Sequence, residues 1–133
     1  MWARVTHAKH KIACIENSPF FIKGVSYADS VRVEGSANAC AFVRVVQKSG
    51  YATLRVLIEG FGKKKPRVMS ALKQLQLLHC NHEGGPVADR QIFSIAVPPG
   101  AAARDAMAVI RNGCALDLWD AEVGDTGGRR GFA

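Results

Sequence analysis

Three short stretches of the chain hold side chains able to do chemistry. Ile58-Glu59-Gly60-Phe61-Gly62-Lys63-Lys64-Lys65-Pro66 runs from a strand-like segment through two glycines into three lysines. Such a run makes an anion site if a helix begins there, because the first N–H groups of a helix lack internal partners and carry partial positive charge. Together with Arg67, Arg44 and Arg55 it would give a surface for phosphate or nucleic acid. Tyr51 and Phe61, placed in turns, are the rings expected beside it. The spacing is not that of a P-loop, which puts four residues between its glycines and a Ser or Thr after the lysine. A solvated turn whose lysines serve solubility is the competing reading.

The second stretch, His79-Cys80-Asn81-His82-Glu83, holds three metal-ligand types. In an extended strand Cys80 and His82 share a face while His79 and His82 point apart. A tetrahedral site needs further ligands, and the remaining histidines, His7 and His10, lie in the first strand region. No metal is expected, and Cys80 reads as a strand-core residue. The third is Ser49-Gly50, a nucleophile followed by glycine. It lacks the GxSxG pattern and falls where a hairpin turn is wanted, so a turn serine is expected. Asp117, Asp120 and Glu122 sit on a terminal strand and are expected to face water. No catalytic residue and no cofactor is anticipated.

The elements that must position these groups show in the apolar rhythm. Up to Ile58 it has period two, with Val31 and Val33 around Arg32, Phe42-Val43-Arg44-Val45-Val46, and Leu54, Val56 and Ile58 in alternation. Asn17-Ser18-Pro19, Gly24, Glu34 to Asn38 and Ser49-Gly50-Tyr51 are turn chemistry between strands. After Pro66, which suits a first helical turn, Val68, Met69, Leu72, Leu75 and Leu78 recur at helical intervals. A strand over Leu78 to Glu83, a loop at Gly84-Gly85-Pro86 and a strand over Gln91 to Val97 follow. A second helix runs from about Ala101 to Arg111, with Ala103, Ala106, Met107 and Ile110 on one face. Asn112-Gly113 reads as its left-handed cap, and Cys114 to Val123 as a last strand.

The expected fold is therefore α+β: an N-terminal antiparallel β meander or small barrel followed by a ferredoxin-like βαββαβ segment. Residues 1–123 form a single compact domain, 1–58 β-rich and 53–123 ferredoxin-like, with Thr53 to Ile58 assignable to either part. Residues 124–133 are glycine-rich with one hydrophobe and read as a flexible tail.

At 133 residues the chain fits one domain, and no apolar run approaches the roughly 20 residues that span a bilayer. No membrane association is expected, and the start lacks the pattern of a secretory signal, so the cytoplasm is the expected compartment. Cys14, Cys40, Cys80 and Cys114 form no CxxC pair, and three of them sit in apolar runs, which reads as buried free thiols. The net charge of +7 is lopsided: residues 1–67 hold 12 basic against 4 acidic residues, and residues 68–133 hold 6 against 7. A basic half of this kind suits nucleic acid, phosphate or an acidic protein.

Two phrases stand out. Pro19-Phe20-Phe21-Ile22-Lys23-Gly24-Val25-Ser26-Tyr27-Ala28-Asp29-Ser30-Val31-Arg32 and Val45-Val46-Gln47-Lys48-Ser49-Gly50-Tyr51-Ala52-Thr53-Leu54-Arg55-Val56 resemble the bacterial domain of unknown function 4265 family. The shared pattern is PFFxxGVSYxDxVR and VVxxSGxxTxRV, and the later Val97-Pro98-Pro99-Gly100 is also similar. The resemblance implies a small, cytoplasmic, bacterial protein and brings no activity with it. It marks Phe20, Gly24, Tyr27, Asp29, Ser49, Gly50 and Arg55 as structural positions. One departure is Ala28, where the phrase calls for glycine; Ala28 then either keeps ordinary backbone angles or is strained. Asp29 and Arg55 each interrupt apolar strands, where a charge is costly unless paired or solvent-facing, and they are expected to help fix the barrel as an ion pair.

Missing catalytic groups and small size favour a non-enzymatic protein-binding module, of the immunity or antitoxin type that plugs a toxin. The alternative is a nucleic-acid or phosphate-ligand binder using the basic half, and an enzyme ranks last. An edge strand of the ferredoxin-like sheet offers a route to homo-oligomers.

Overall fold

The computed structural model describes residues 3–35, 40–100 and 102–128. The expected turn at Ser36 to Asn38, the start of the second helix at Ala101 and the end of the tail, 129–133, lie outside the described residues. Four strands, β1 (Ala3–His7), β2 (Ile12–Ile15), β3 (Ser30–Glu34) and β4 (Ala41–Gln47), form an antiparallel sheet in chain order. It is a meander and not a barrel, because β1 and β4 are its two edges. Alternation sends Ala13, Ile15, Val31, Val33 and Val45 to one side, where Ile22 and Val25 complete a small core.

Ile22 and Val25 come from the connection between β2 and β3, residues 16–29, here called the strap. On its other side the strap lies against a second antiparallel sheet of β5 (Ala52–Ile58), β6 (Asn81–Val87), β7 (Arg90–Val97) and β8 (Asp120–Asp125), in the order β6-β7-β5-β8. β5 thus belongs to the second sheet alone, and the change of sheet falls between Gln47 and Ala52. The helices α1 (Phe61–Leu77) and α2 (Ala102–Ala115) cover one face of this sheet. Leu54, Val56 and Ile58 of β5 and Phe93, Ile95 and Val97 of β7 pack there against Val68, Leu72, Leu75, Ala106 and Ile110. Burying each large side chain contributes about 1.5–3 kcal/mol. β5 and β7 are buried along most of their length because both of their faces are largely covered.

Several expected boundaries are corrected. Gly84-Gly85-Pro86 is not a loop: β6 runs straight through it to Val87, and the turn is Ala88-Asp89. As an edge strand β6 tolerates Pro86, and a Cβ on Gly84 would sit 2.4 Å from the Phe93 ring. α1 begins at Phe61, after Gly60 in left-handed conformation, so Pro66 lies inside the helix and the three lysines belong to its first turns. Met69, expected on its apolar face, is exposed.

α2 continues to Ala115, so Asn112-Gly113 is not its cap and Cys114 is helical, not part of the last strand. Gly113 is buried because the Trp119 indole lies where its Cβ would be, at 2.4 Å. Both helices close by the same device. Cys80 N–H bonds Leu75 O and His79 N–H bonds Gln76 O; Leu118 N–H bonds Gly113 O and Asp117 N–H bonds Cys114 O. These are Schellman pairs, with His79 (φ 64°) and Asp117 (φ 56°) in the left-handed position that glycine usually takes. Among the four thiols Cys80 is buried, whereas Cys40 and Cys114 are exposed, against expectation. Residues 124 and 125, assigned to a flexible tail, belong to β8, and Gly124 is buried.

Candidate functional site

The face of the second sheet turned away from the helices carries Thr53, Arg55 and Leu57 of β5, opposite Ala96, Ser94 and Ile92 of β7. Thr53, Arg55 and Ser94 are polar and buried, which is costly unless each finds partners. The strap supplies them. Ser94 Oγ donates to Pro19 O at 2.6 Å and so accepts from Ser18 Oγ at 2.7 Å. Arg55 Nη1 donates to Pro19 O and Ile22 O, both at 3.0 Å, and its Nε to Glu122 Oε1 of β8 at 2.8 Å. A Cβ on Gly124 would sit 2.5 Å from this guanidinium, which is why the neighbouring β8 position is glycine.

A second polar knot lies where strap, β4 and β8 meet. Asp29, fully buried, accepts from Ser26 N and Ser49 N at 2.9 and 2.8 Å. Lys48 Nζ donates to Asp29 Oδ2 at 2.8 Å, to Gly24 O at 3.0 Å and to Asp125 Oδ2, which uses all three of its protons. Ser26 Oγ donates to Asp125 Oδ2 and lies 2.7 Å from Thr53 Oγ1. Burial alone would lower the Lys48 pKa, but the bonds to Asp125 and Asp29 outweigh it and hold it above the ordinary lysine value. Burial likewise works to raise Asp125, and the bonds from Lys48 and Ser26 outweigh it, holding the carboxyl below its ordinary value.

Asp29 and Arg55 are therefore not partners. Each is fixed by an opposite charge of its own, Lys48 and Glu122. The remaining phrase residues gather around the same knot. Gly24 (φ 78°) donates its N–H to Gly124 O, and the Tyr27 and Tyr51 rings meet edge to face at 5.0 Å. Ser49 Oγ donates to Tyr27 O at 2.6 Å and accepts from Tyr51 N at 3.1 Å, a turn serine as expected, although the turn joins two sheets and is not a hairpin. Gly50 has φ 91° and its Cβ position faces Pro99 at 3.2 Å. Ala28 takes φ 66° in a turn closed by Asp29 N–H to Ser26 O, so of the two alternatives the strained one is realised.

Where the strap turns around Arg55 it leaves Phe21 outside, with 78% of its surface exposed, while Phe20 is half-buried. Beside Phe21 a cleft of about 370 Å³ opens on the uncovered part of the sheet face. Leu57, Val87, Ile92 and Ala121 give it an apolar lining, and Asp120 and Glu122 give it an acidic rim.

The basic residues expected to act together are dispersed. Lys63, Lys64, Lys65 and Arg67 lie on α1, Arg67 donating to Leu116 O. Arg44 is on β4 of the other sheet, and Arg55 is buried and paired. Tyr51 and Phe61, expected at the surface, are half-buried, Phe61 packing edge to face on Phe93. His82, weighed as a ligand, packs on Phe93 at 5.7 Å, and burial lowers its pKa. Sequence reasoning did not single out Phe21, Lys48 or Asp125. The first carries no local mark of exposure, and the other two are joined only by the fold.

These features define an α+β protein of two antiparallel sheets, joined by a strap whose polar contacts are fully committed and which leaves one apolar cleft face open. The chain belongs to the domain of unknown function 4265 family, whose model matches residues 1–119. A hypothetical protein from Neisseria gonorrhoeae has a similar crystal structure, with a TM-score of 0.69 at 15% identity over 89% of this chain and 78% of that one. At that identity the likeness is one of fold. No curated protein matches the chain. No helix among the described residues is long and apolar enough to cross a membrane.

Proposed function

We propose that the protein is a non-enzymatic recognition module of the immunity or antitoxin type, binding a protein partner through the cleft beside Phe21. The exposed Phe21 ring carries this reading. A large apolar side chain held outward by a strap that is hydrogen-bonded to the sheet on both sides of it serves as a ready anchor, since aromatic side chains dominate binding interfaces. The lining favours an apolar side chain from the partner, and Asp120 at the rim favours a neighbouring lysine or arginine, Glu122 being engaged by Arg55 and Lys23. The nucleophile-like Ser49 supports a non-enzymatic reading, since both of its hydrogen-bonding directions serve the turn. The strand order β6-β7-β5-β8, with both helices on one face, supports a ferredoxin-like second layer. Four cysteines that form no disulfide support residence in the reducing cytoplasm.

The test is co-expression with the products of the flanking genes, comparing wild type with Phe21→Asp. Phe21 is exposed, so the variant should keep its stability within about 0.5 kcal/mol and lose a partner that wild type retains at one-to-one stoichiometry. A partner held equally by both, or none held by wild type, refutes the reading.

A further inference from the structure

We infer that the outward face of the first sheet is a site for the sugar-phosphate backbone of nucleic acid, centred on Arg32 and Arg44. The strand alternation that turns Val31, Val33 and Val45 toward the strap turns the residues between them to water. Arg32 and Arg44 are direct partners across β3 and β4, and both are exposed. Among the described residues neither has a carboxylate within ion-pair distance. Like charges placed directly opposite on neighbouring strands weaken a sheet, so this pair is a cost in the free protein. Two guanidinium forks side by side become an asset once an anion lies between them, because each presents parallel N–H donors to phosphate oxygens.

The surroundings extend the positive charge and say how it is used. Lys9 and Lys11 stand at the β1–β2 connection, and Lys11 O accepts from Val33 N, which sets that tip beside the arginine row. On the same side Arg4 is already paired with Glu16, and Glu34 at the end of β3 is the acid two residues beyond Arg32. The face around the arginines is filled by Ile12, Cys14 and Ser30, and the exposed His7 ring stands opposite Ile12 in the same cross-strand row. Guanidinium forks engage phosphates, which carry no sequence information, so the contact is indifferent to sequence. This site is on the other sheet from the Phe21 cleft and is independent of it. It is also separate from the lysines of α1.

The test is fluorescence anisotropy with a labelled single-stranded DNA of roughly 20 nucleotides, titrated between about 50 and 200 mM salt. Each phosphate engaged adds about 0.7 to the slope of log affinity against log salt on a single strand. The full chain carrying R32Q and R44Q should lose about 1.4 of the wild-type slope, so wild type falls about sevenfold further than the variant over that range. A chain carrying K63Q, K64Q and K65Q should keep the wild-type slope. The R32Q, R44Q chain should melt at or above the wild-type temperature, which separates lost contact from lost fold. No wild-type binding at the lowest salt, an unchanged slope in the arginine variant or a reduced one in the lysine variant overturns the assignment. Arginine-dependent binding to phosphatidylserine vesicles without binding to the oligonucleotide also overturns it.

Discussion

Lys48→Met is the substitution that most directly probes how the two sheets are joined. The lysine ammonium sits between Asp29, whose side chain is 0% exposed, and Asp125, whose side chain is 10% exposed, with both Oδ2 atoms bound to the same nitrogen. Methionine keeps the length of the side chain and leaves two carboxylates facing each other. Removing one partner of a buried ion pair costs about 3–5 kcal/mol. The Lys48 side chain is 36% exposed, so water screens part of this, and a loss of about 2–4 kcal/mol is expected at pH 7. The pH dependence gives the sharper signature. In wild type the Asp125 pKa is depressed, so its contribution is present above the ordinary carboxyl value and is lost as pH falls through the lower, folded one. The Lys48 pKa is raised, so its contribution is present below the ordinary lysine value and is lost as pH rises through the folded one. Without Lys48, Asp125 loses the bond that depresses it and keeps the burial that raises it. The deficit should then shrink as pH falls from 7 to about 4. Urea denaturation of both chains at the two pH values measures this, with Lys48→Met/Asp125→Asn as the rescue. A deficit under about 0.5 kcal/mol at pH 7, or one equal at both pH values, would refute the ion-pair account.

Three further outcomes are expected. Ala28→Gly relieves a left-handed alanine (φ 66°) and should raise stability by about 0.5–1 kcal/mol, read as an increase in Tm. Gly113→Ala drives a methyl group into the Trp119 indole, 2.4 Å from the Cβ position; it should cost about 1–3 kcal/mol and change the near-UV circular dichroism of that tryptophan. Arg55→Lys keeps the charge but cannot serve Pro19 O, Ile22 O and Glu122 with the same planar fork. It should lose about 1–3 kcal/mol in urea titration and speed amide exchange in the strap.

The order of elements from Thr53 onward was readable because β5 and β7 carry apolar residues at every other position, Leu54, Val56 and Ile58 and Phe93, Ile95 and Val97, and α2 repeats its apolar residues at helical spacing. The misreadings concentrate on glycine and proline, which mean two different things. Gly24 and Gly50 are there for positive φ, as turn chemistry implies. Gly84, Gly113 and Gly124 are there for space, under Phe93, Trp119 and Arg55, and only the packed fold reveals which residue lies over them. Hence a strand reads as a loop, a helix interior as a cap and a strand end as a tail. The charges at Asp29 and Arg55 were legible as anomalies in apolar strands. Their partners were not, because Lys48 and Glu122 lie 19 and 67 residues further along the chain and meet them only in the packed fold. Phe21 sits in an apolar phrase and differs from Phe20 only in which way the strap faces.

The strap serves two clients at once: Ile22 and Val25 complete the core of the first sheet, while Pro19, Ile22 and Ser26 satisfy Arg55, Ser94 and Thr53 of the second. A chain severed between β4 and β5 would therefore yield unequal halves. The leading piece keeps its filler, and the trailing piece is left with a serine, a threonine and an arginine held by Glu122 alone, whose other partners lie in the leading piece. Supplied as separate polypeptides, the two should seek each other out and reconstitute the whole, which makes that junction the natural place to build a split reporter.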